Sequence, residues 1–568
     1  MKKDRTADFS SGFLTIFLLA AVFMLSRLVL LDSDLPDKNL TQYLSTDELY
    51  YAVPAFSLYR HGNIQYRQHP WIRYEGFVIN WPEFMATWAG LAVLGNNFYG
   101  LRISSVGASL IIFLLIRLIL NSQASRSIRY FVLIYIACNF QFLIAGRVEE
   151  PTVFRVASMV AMIWAFDCFI RDLSPGVCIS LGFFSALCCL LVYPTNLFIP
   201  SACILLSIGE GLKSGPRKAL QFFLRFSSGA LAALIFTYAL YAMTHRQTFT
   251  DIYRELFPAY SHRISLQNHQ SNSLIAETIK NATGFFSAGH FRFSMGTLFL
   301  FLVSLPAYAR TAMGRERVTH RLVLALLAMI FLQSLFINDY PLRKMLVTLP
   351  LSCIVTAAAL SGEKAWLHLL DQNSRIRFFY NHWCFIAWFF CASILFVNCR
   401  YMGEYRLPGK CAAFSLLSLA GCTVCFIIWR RRQSGIRSAI VLALCLMLPE
   451  LYLDITRVYA FPTFAYRDTC RELSETLKGK VCAGGASFAF RLYSDYEPVL
   501  NHYRYMNDLS TYQNHLDRMF REGKADFHFA ALTEANLKIT DASGLELVRE
   551  MDISLGDCNI GLFTRKKH

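Results

Sequence analysis

The chain has 568 residues, of which 55% are hydrophobic, 15% aromatic and only 17% charged, and its mean hydropathy is +0.38. A soluble chain carries roughly 25% charged residues, whereas here apolar runs of about 17–23 residues recur, each long enough to cross a ~30 Å hydrocarbon core. A soluble enzyme, a secreted disulfide scaffold and a disordered tail protein are all excluded, and what remains is a polytopic membrane protein.

The net charge of +16 takes its meaning from where the cations sit. Lys and Arg gather in short loops at the ends of apolar runs, where they set orientation, and no basic stripe with interleaved aromatics marks a nucleic-acid surface. Most of the 17 Cys lie inside apolar runs and behave as small hydrophobes.

The first run, Gly12 to Leu31, is too long for a signal-peptide core and reads as a retained span. Lys2, Lys3 and Arg5 hold the N-terminus in the cytoplasm, which delivers residues 32–83 to the outer face. Phe84–Leu94 is apolar but too short to cross, and reads as an interfacial segment. Further spans are expected near 98–120, 129–145, 152–170, 176–193, 195–209, 219–243, 294–309, 320–337, 343–360, 381–399, 411–429 and 436–453. With the first, these make about thirteen crossings. The inside loops then carry clusters such as Lys213, Arg217 and Lys218, or Arg430, Arg431 and Arg432, as the positive-inside rule requires.

The fold expected is therefore mostly α, a membrane body over 1–465 followed by a small outer-face α/β domain over 466–568. In that tail, Arg467–Leu477 and Leu509–Phe520 have helical spacing, while Lys480–Ala483 and Asn559–Thr564 read as strands. The outside segments 32–83 and 244–293 are too long to be simple connectors, and such loops commonly carry function.

Two acidic groups fall on the outer side. The first loop holds Ser45-Thr46-Asp47-Glu48-Leu49-Tyr50-Tyr51-Ala52, and Gly146-Arg147-Val148-Glu149-Glu150-Pro151 joins the third span to the fourth. Adjacent carboxylates at the mouth of apolar helices are costly unless paired or functional. Acids converging at one depth from separate loops suit a divalent metal or a general base. The bland alternatives are a capped interfacial helix at Asp47 and neutralisation of one acid by Arg147.

These residues resemble the signatures of the GT-C membrane glycosyltransferases, and are similar to those of protein O-mannosyltransferases and the aminoarabinose transferases that modify lipid A. Asp-Glu with following aromatics is similar to the first-loop signature. Trp81-Pro82-Glu83-Phe84, Gly95-Asn96-Asn97-Phe98 and Leu101-Arg102-Ile103-Ser104-Ser105 resemble the Pro-containing entry, the Gly-x-x-Phe turn and the Arg-Leu-x-Ser segment. Pro341-Leu342-Arg343-Lys344 through Pro350 resembles the basic, Leu-Pro motif.

The resemblance implies transfer of a monosaccharide from a polyprenyl-phosphate carrier to a lipid, glycan or protein acceptor on the extracytoplasmic face. It implies a multi-pass protein of the bacterial inner membrane that uses membrane lipids but no nucleotide cofactor and no nucleic acid. Carried over by motif, Asp47 is the catalytic base, Glu48 orients it, and Glu149 and Glu150 occupy the second acidic position. Arg343 and Lys344 hold the carrier phosphate, and Arg102 is structural. Aminoarabinose transferases have a Glu-Lys pair where this chain has Ile79-Asn80. Glu75 and Glu149 are then the acids offered to a divalent metal, and Arg67 and Arg73 the cations offered to phosphate. A transporter or flippase of lipid-linked saccharides is the alternative, although it calls for charges along a path through the bilayer.

Overall fold

The computed structural model describes residues 4–34, 52–62, 81–149, 151–169, 174–192, 198–245, 295–313, 318–336, 346–404, parts of 420–427, 436–460, 463–499 except four loop residues, 509–555 and 558–566. It is a bundle of helices with a small sheet at the C-terminus.

Helix α1 spans Asp4–Leu28 and carries the first apolar run. It is followed by the short α2 (Val53–His61), the apolar α3 (Trp81–Leu94) and α4 (Phe98–Asn121). With 14 residues, α3 is about 21 Å long at 1.5 Å per residue, too short to cross on its own. It folds back on α4 as a tight hairpin. Gly95 turns the chain at φ +84°, and the Asn97 side chain then caps α4 by accepting from Gly100 N at 2.9 Å. The two helices touch through glycine: a Cβ on Gly90 would stand 2.4 Å from the Gly100 carbonyl oxygen.

The expected span 129–145 is broken into α5 (Arg126–Ala137) and α6 (Phe140–Ala145). Asn139 causes the break, because its side chain accepts from Phe142 N at 2.9 Å and starts a new helix in place of continuing the old one. Helix α7 (Pro151–Phe169) begins on a proline, α8 (Pro175–Leu187) runs into a π turn at Cys188–Val192, and α9 (Phe198–Ser214) leads to α10 (Pro216–His245). Helices α8 and α10 cross in close contact. A Cβ on Gly182 would lie 2.0 Å from the Phe226 carbonyl oxygen, and one on Gly229 2.0 Å from that of Ile179. Small residues let backbones approach where lipid gives no hydrophobic drive between helices.

The bundle continues with α11 (Met295–Met313), α12 (Val318–Phe336), α13 (Thr348–Ser361), the amphipathic α14 (Glu363–Gln372), α15 (Ser374–Glu404) and α16 (Ile436–Leu453). Among the described residues three stretches are long and apolar enough to cross a membrane, Phe98–Asn121, Pro151–Cys168 and Pro216–Leu240, with shorter apolar helices beside them.

The tail opens with α17 (Ala465–Leu477), which buries Tyr466, Cys470, Leu473 and Leu477 on one face. Strands β1 (Val481–Ala483) and β2 (Glu497–Val499), helix α18 (Leu509–Arg521), β3 (Phe527–Ala531), α19 (Glu534–Ala542), β4 (Leu545–Leu555) and β5 (Cys558–Arg565) follow. The sheet order is β2-β1-β3-β5-β4, with β1 parallel to both neighbours and the β3-β5-β4 half antiparallel. The sequence pattern anticipates α17, β1, α18 and β5 but not the other elements.

The tail does not swing free. One apolar cluster joins Ala52, Phe56, Phe84, Phe98 and Leu101 of the bundle to Tyr466, Leu473, Phe490, Tyr496 and Phe529 of the tail. Polar contacts fix the same seam: Arg467 pairs with Asp32 at 2.8 Å, and Asp34 accepts from Tyr466 N at 3.2 Å.

Candidate active site

The site is built at the tail-side end of the bundle, where α1 ends and α3, α4 and α7 meet. The turn after α1 passes through Leu30 at φ +56°, a left-handed conformation that leaves carbonyls pointing inward. Two buried arginines collect them. Arg102 of α4 donates to Leu31 O at 2.6 Å and Ser33 O at 2.7 Å. Arg147 donates to Val29 O at 2.8 Å, to Leu30 O and to Ser33 Oγ at 3.3 Å. Burial, with the neighbouring Arg102 charge, lowers the Arg147 guanidinium to about 10, so it stays a cation at neutral pH.

Holding Arg147 in this way directs the next turn inward. Gly146 packs where a Cβ would lie 2.9 Å from Ser109 Oγ and 3.1 Å from Arg27 Nε. Two residues beyond Arg147, Glu149 is wholly buried. Its carboxylate accepts hydroxyl hydrogen bonds from Thr87 of α3 and Ser104 of α4, and a third from Ser105 at 3.2 Å. A carboxylate is an acceptor only, and three hydroxyls are a matching set of donors. The arginine beside Glu149 in sequence is thus engaged with the α1 turn, and hydroxyls from two other helices meet the acid.

Glu83 lies one helical turn before Thr87, in the first turn of α3, and is also buried. In the sequence it stands out only as part of the Pro-containing entry. Its i, i+4 spacing from Thr87 puts it on the same helix face, a relation that gains meaning only once α3 lies against α4. Thr87, Ser104 and Ser105 carry no signal of their own as site residues, since a hydroxyl in an apolar helix reads as neutral until the partner helix is known.

Of the residues expected at the site, Glu149 alone is described. Asp47, Glu48, Arg67, Arg73, Glu75, Glu150, Arg343 and Lys344 lie outside the described residues, as does nearly all of the loop 244–293. Among the described residues, no group of three or more His, Cys, Asp and Glu side chains is placed to hold a metal. Among the described residues, both oxygens of Glu149 take hydroxyl donors.

Fold comparison extends this geometry. The structure of ArnT from Cupriavidus metallidurans bound to undecaprenyl phosphate superposes with a TM-score of 0.60 at 12% identity, covering 96% of this chain and 97% of that one. Its apo structure matches with a TM-score of 0.56, also at 12% identity, over 97% and 98%. The chain has the GT-C fold. A looser likeness, with a TM-score of 0.44 at 9% identity, covers 91% of this chain and 67% of the Archaeoglobus fulgidus oligosaccharyltransferase. No family model and no curated protein matches the sequence. The likeness to ArnT in this GT-C fold runs over nearly the whole of both chains.

Proposed function

We propose that the chain is an integral-membrane glycosyltransferase that moves a monosaccharide from a polyprenyl-phosphate carrier to an acceptor on the extracytoplasmic face. The carrying observation is Glu149, enclosed by Thr87, Ser104 and Ser105 at the end of the bundle where the first loop and the tail meet. Support also comes from sharing a fold with ArnT, one structure of which holds undecaprenyl phosphate. The reading includes about thirteen crossings in the bacterial inner membrane, with a cytoplasmic N-terminus and an extracytoplasmic tail.

In this reading Asp47 takes the proton of an acceptor hydroxyl, and the freed oxygen attacks the anomeric carbon. The bond from that carbon to the phosphate oxygen breaks, and the polyprenyl phosphate leaves with the electron pair. A base on the nucleophile and positive charge on the departing phosphate are what this displacement needs. Arg343, Lys344, Arg67 and Arg73 supply the charge, Arg through paired hydrogen bonds and Lys as a point charge. Glu48 orients Asp47, Glu150 steadies the acceptor, and Glu149 fixes the junction of α3, α4 and α7 beneath it. A divalent metal, where used, would sit at Glu75 and assist the leaving phosphate.

The test is incubation of purified protein with a panel of radiolabelled polyprenyl-phosphate sugars and membrane extract, beside the Asp47→Ala variant. Transfer is expected from one carrier and lost in the variant. Transfer unchanged by Asp47→Ala removes that residue from the mechanism, and transfer from no carrier favours the transporter.

A further inference from the structure

Arg491 lies in the turn between β1 and β2 of the tail and is fully buried. Its guanidinium stacks on the Phe56 ring of α2, 4.1 Å from the ring centroid. Among the described residues, no acceptor reaches its Nε, Nη1 or Nη2. Its place is nonetheless firmly set from the bundle side. Asn96 donates to Arg491 O at 3.2 Å and to Ser494 O at 3.1 Å, and Arg60 donates to Tyr496 O at 2.7 Å. The nearby Tyr496 hydroxyl brings no compensating charge: enclosed by burial, it is pushed well above its ordinary range and keeps its proton.

An aromatic face compensates only part of what a guanidinium loses on leaving water, and a buried cation without hydrogen bonds is unstable unless an anion completes it. Five donors in a planar fork match a phosphate. The cation also stands at the seam between tail and bundle, beside the first outer loop, where a lipid-borne phosphate of the proposed reaction would arrive.

We infer that Arg491 is a phosphate-binding residue contributed by the tail domain, taking a phosphate carried on a lipid substrate as the seam opens to admit it. The inference rests on the glycosyltransferase reading for the identity of that lipid, either the polyprenyl carrier or a phosphate-bearing acceptor.

The test uses the full chain in lipid nanodiscs, with wild type, Arg491→Gln and Arg491→Lys compared for binding of undecaprenyl phosphate, undecaprenol and phosphatidic acid. Arg491→Gln should weaken undecaprenyl phosphate about 10- to 100-fold, the scale of a charge-assisted contact. Arg491→Lys should lose less, and undecaprenol, lacking phosphate, should bind all three proteins alike. A loss confined to undecaprenyl phosphate assigns the carrier, and a loss shared with phosphatidic acid assigns a phosphate on an acceptor lipid. Unchanged phosphate binding in Arg491→Gln overturns the inference. So does an equal loss of undecaprenol binding, the mark of a purely structural side chain. Should Arg491→Gln not fold, wild-type affinity in Arg491→Lys at raised salt overturns it as well. If the wild type transfers no sugar yet binds phosphate through Arg491, the enzymatic reading fails and this one stands.

Discussion

The Ser105 hydroxyl stands 3.2 Å from a carboxylate oxygen of Glu149, a residue 44 positions along the chain, and joins the Thr87 and Ser104 hydroxyls on that carboxylate. These contacts tie α3, α4 and the start of α7 together through one acid. Glu149→Gln keeps the volume but turns one acceptor into a donor that faces hydroxyls. Each unsatisfied buried group costs about 1–3 kcal/mol. The variant should therefore fold with a lowered melting temperature and transfer sugar at least about 10-fold more slowly, which a thermal scan and the radiolabel assay would read. Wild-type activity in Glu149→Gln would show that the acid has no part in shaping the site.

Glycine substitutions should split by location. On Gly229, a Cβ would meet the Ile179 carbonyl oxygen at 2.0 Å, a backbone atom that cannot swing away. Gly229→Ala must push α8 and α10 apart, and overpacking of this kind costs about 1–3 kcal/mol. Gly107 lies mid-helix in α4, and a methyl added there would meet nothing within 4 Å among the described residues. At that position Ala should be neutral or stabilising by about 0.5–1 kcal/mol, because it loses less backbone freedom on folding. Melting temperatures in one detergent would show the opposite signs.

How far the sequence is legible depends on whether a signal is local. The α3–α4 turn is readable because Gly95 and Asn97 do their work within a few residues, one by its positive φ and the other as a cap. The break at Asn139 is not, since the apolar pattern runs through 129–145 and a single side chain overrides it. Glu149 can be picked out as an acid at a helix mouth, but its partners belong to α3 and α4, and no periodicity reveals which faces will meet. Glu83 stays inconspicuous because its sharing of the Thr87 face matters only once α3 lies against α4. Arg491 sits in the connection between β1 and β2 with no repeating pattern, and its contacts with Phe56 and Asn96 arise only as the tail closes on the bundle.

The tail thiols should report its integrity. Burial pushes Cys470 and Cys482 well above the ordinary thiol range, and the thiolate is the reactive form. Both should resist maleimide at pH 8 in the folded protein and react once it unfolds. The same shift has a stability consequence. The folded thiols hold their protons while those of the unfolded chain leave above about pH 8.5. The native state then binds more protons, and stability falls with rising pH. Melting temperatures should therefore drop between neutral pH and about pH 10, and less so in Cys482→Ala, whose unfolded state has one thiol fewer to ionise.

Asn96 and Arg60 together hold the 491–496 segment against the bundle and share the Ser494 carbonyl as an acceptor. Asn96 bridges two carbonyls with one amide, at 3.2 and 3.1 Å. Arg60 donates to Tyr496 O at 2.7 Å and to Ser494 O, and pairs with Asp495 at 3.5 Å, where the aspartate is largely exposed. An exposed ion pair adds little, so the weight of the Arg60 contact falls on its two carbonyls. Asn96→Ala removes this donor from Arg491 O, whereas Ser494 O keeps the Arg60 contact. The variant should loosen the seam while the apolar cluster around Phe98 and Tyr466 still holds the tail in place. The expected result is faster proteolytic release of the tail near residue 462 with the melting temperature of the bundle unchanged. Asp495→Asn should leave the release rate as it is in the wild type. If both variants release the tail at the wild-type rate, apolar packing alone closes the seam.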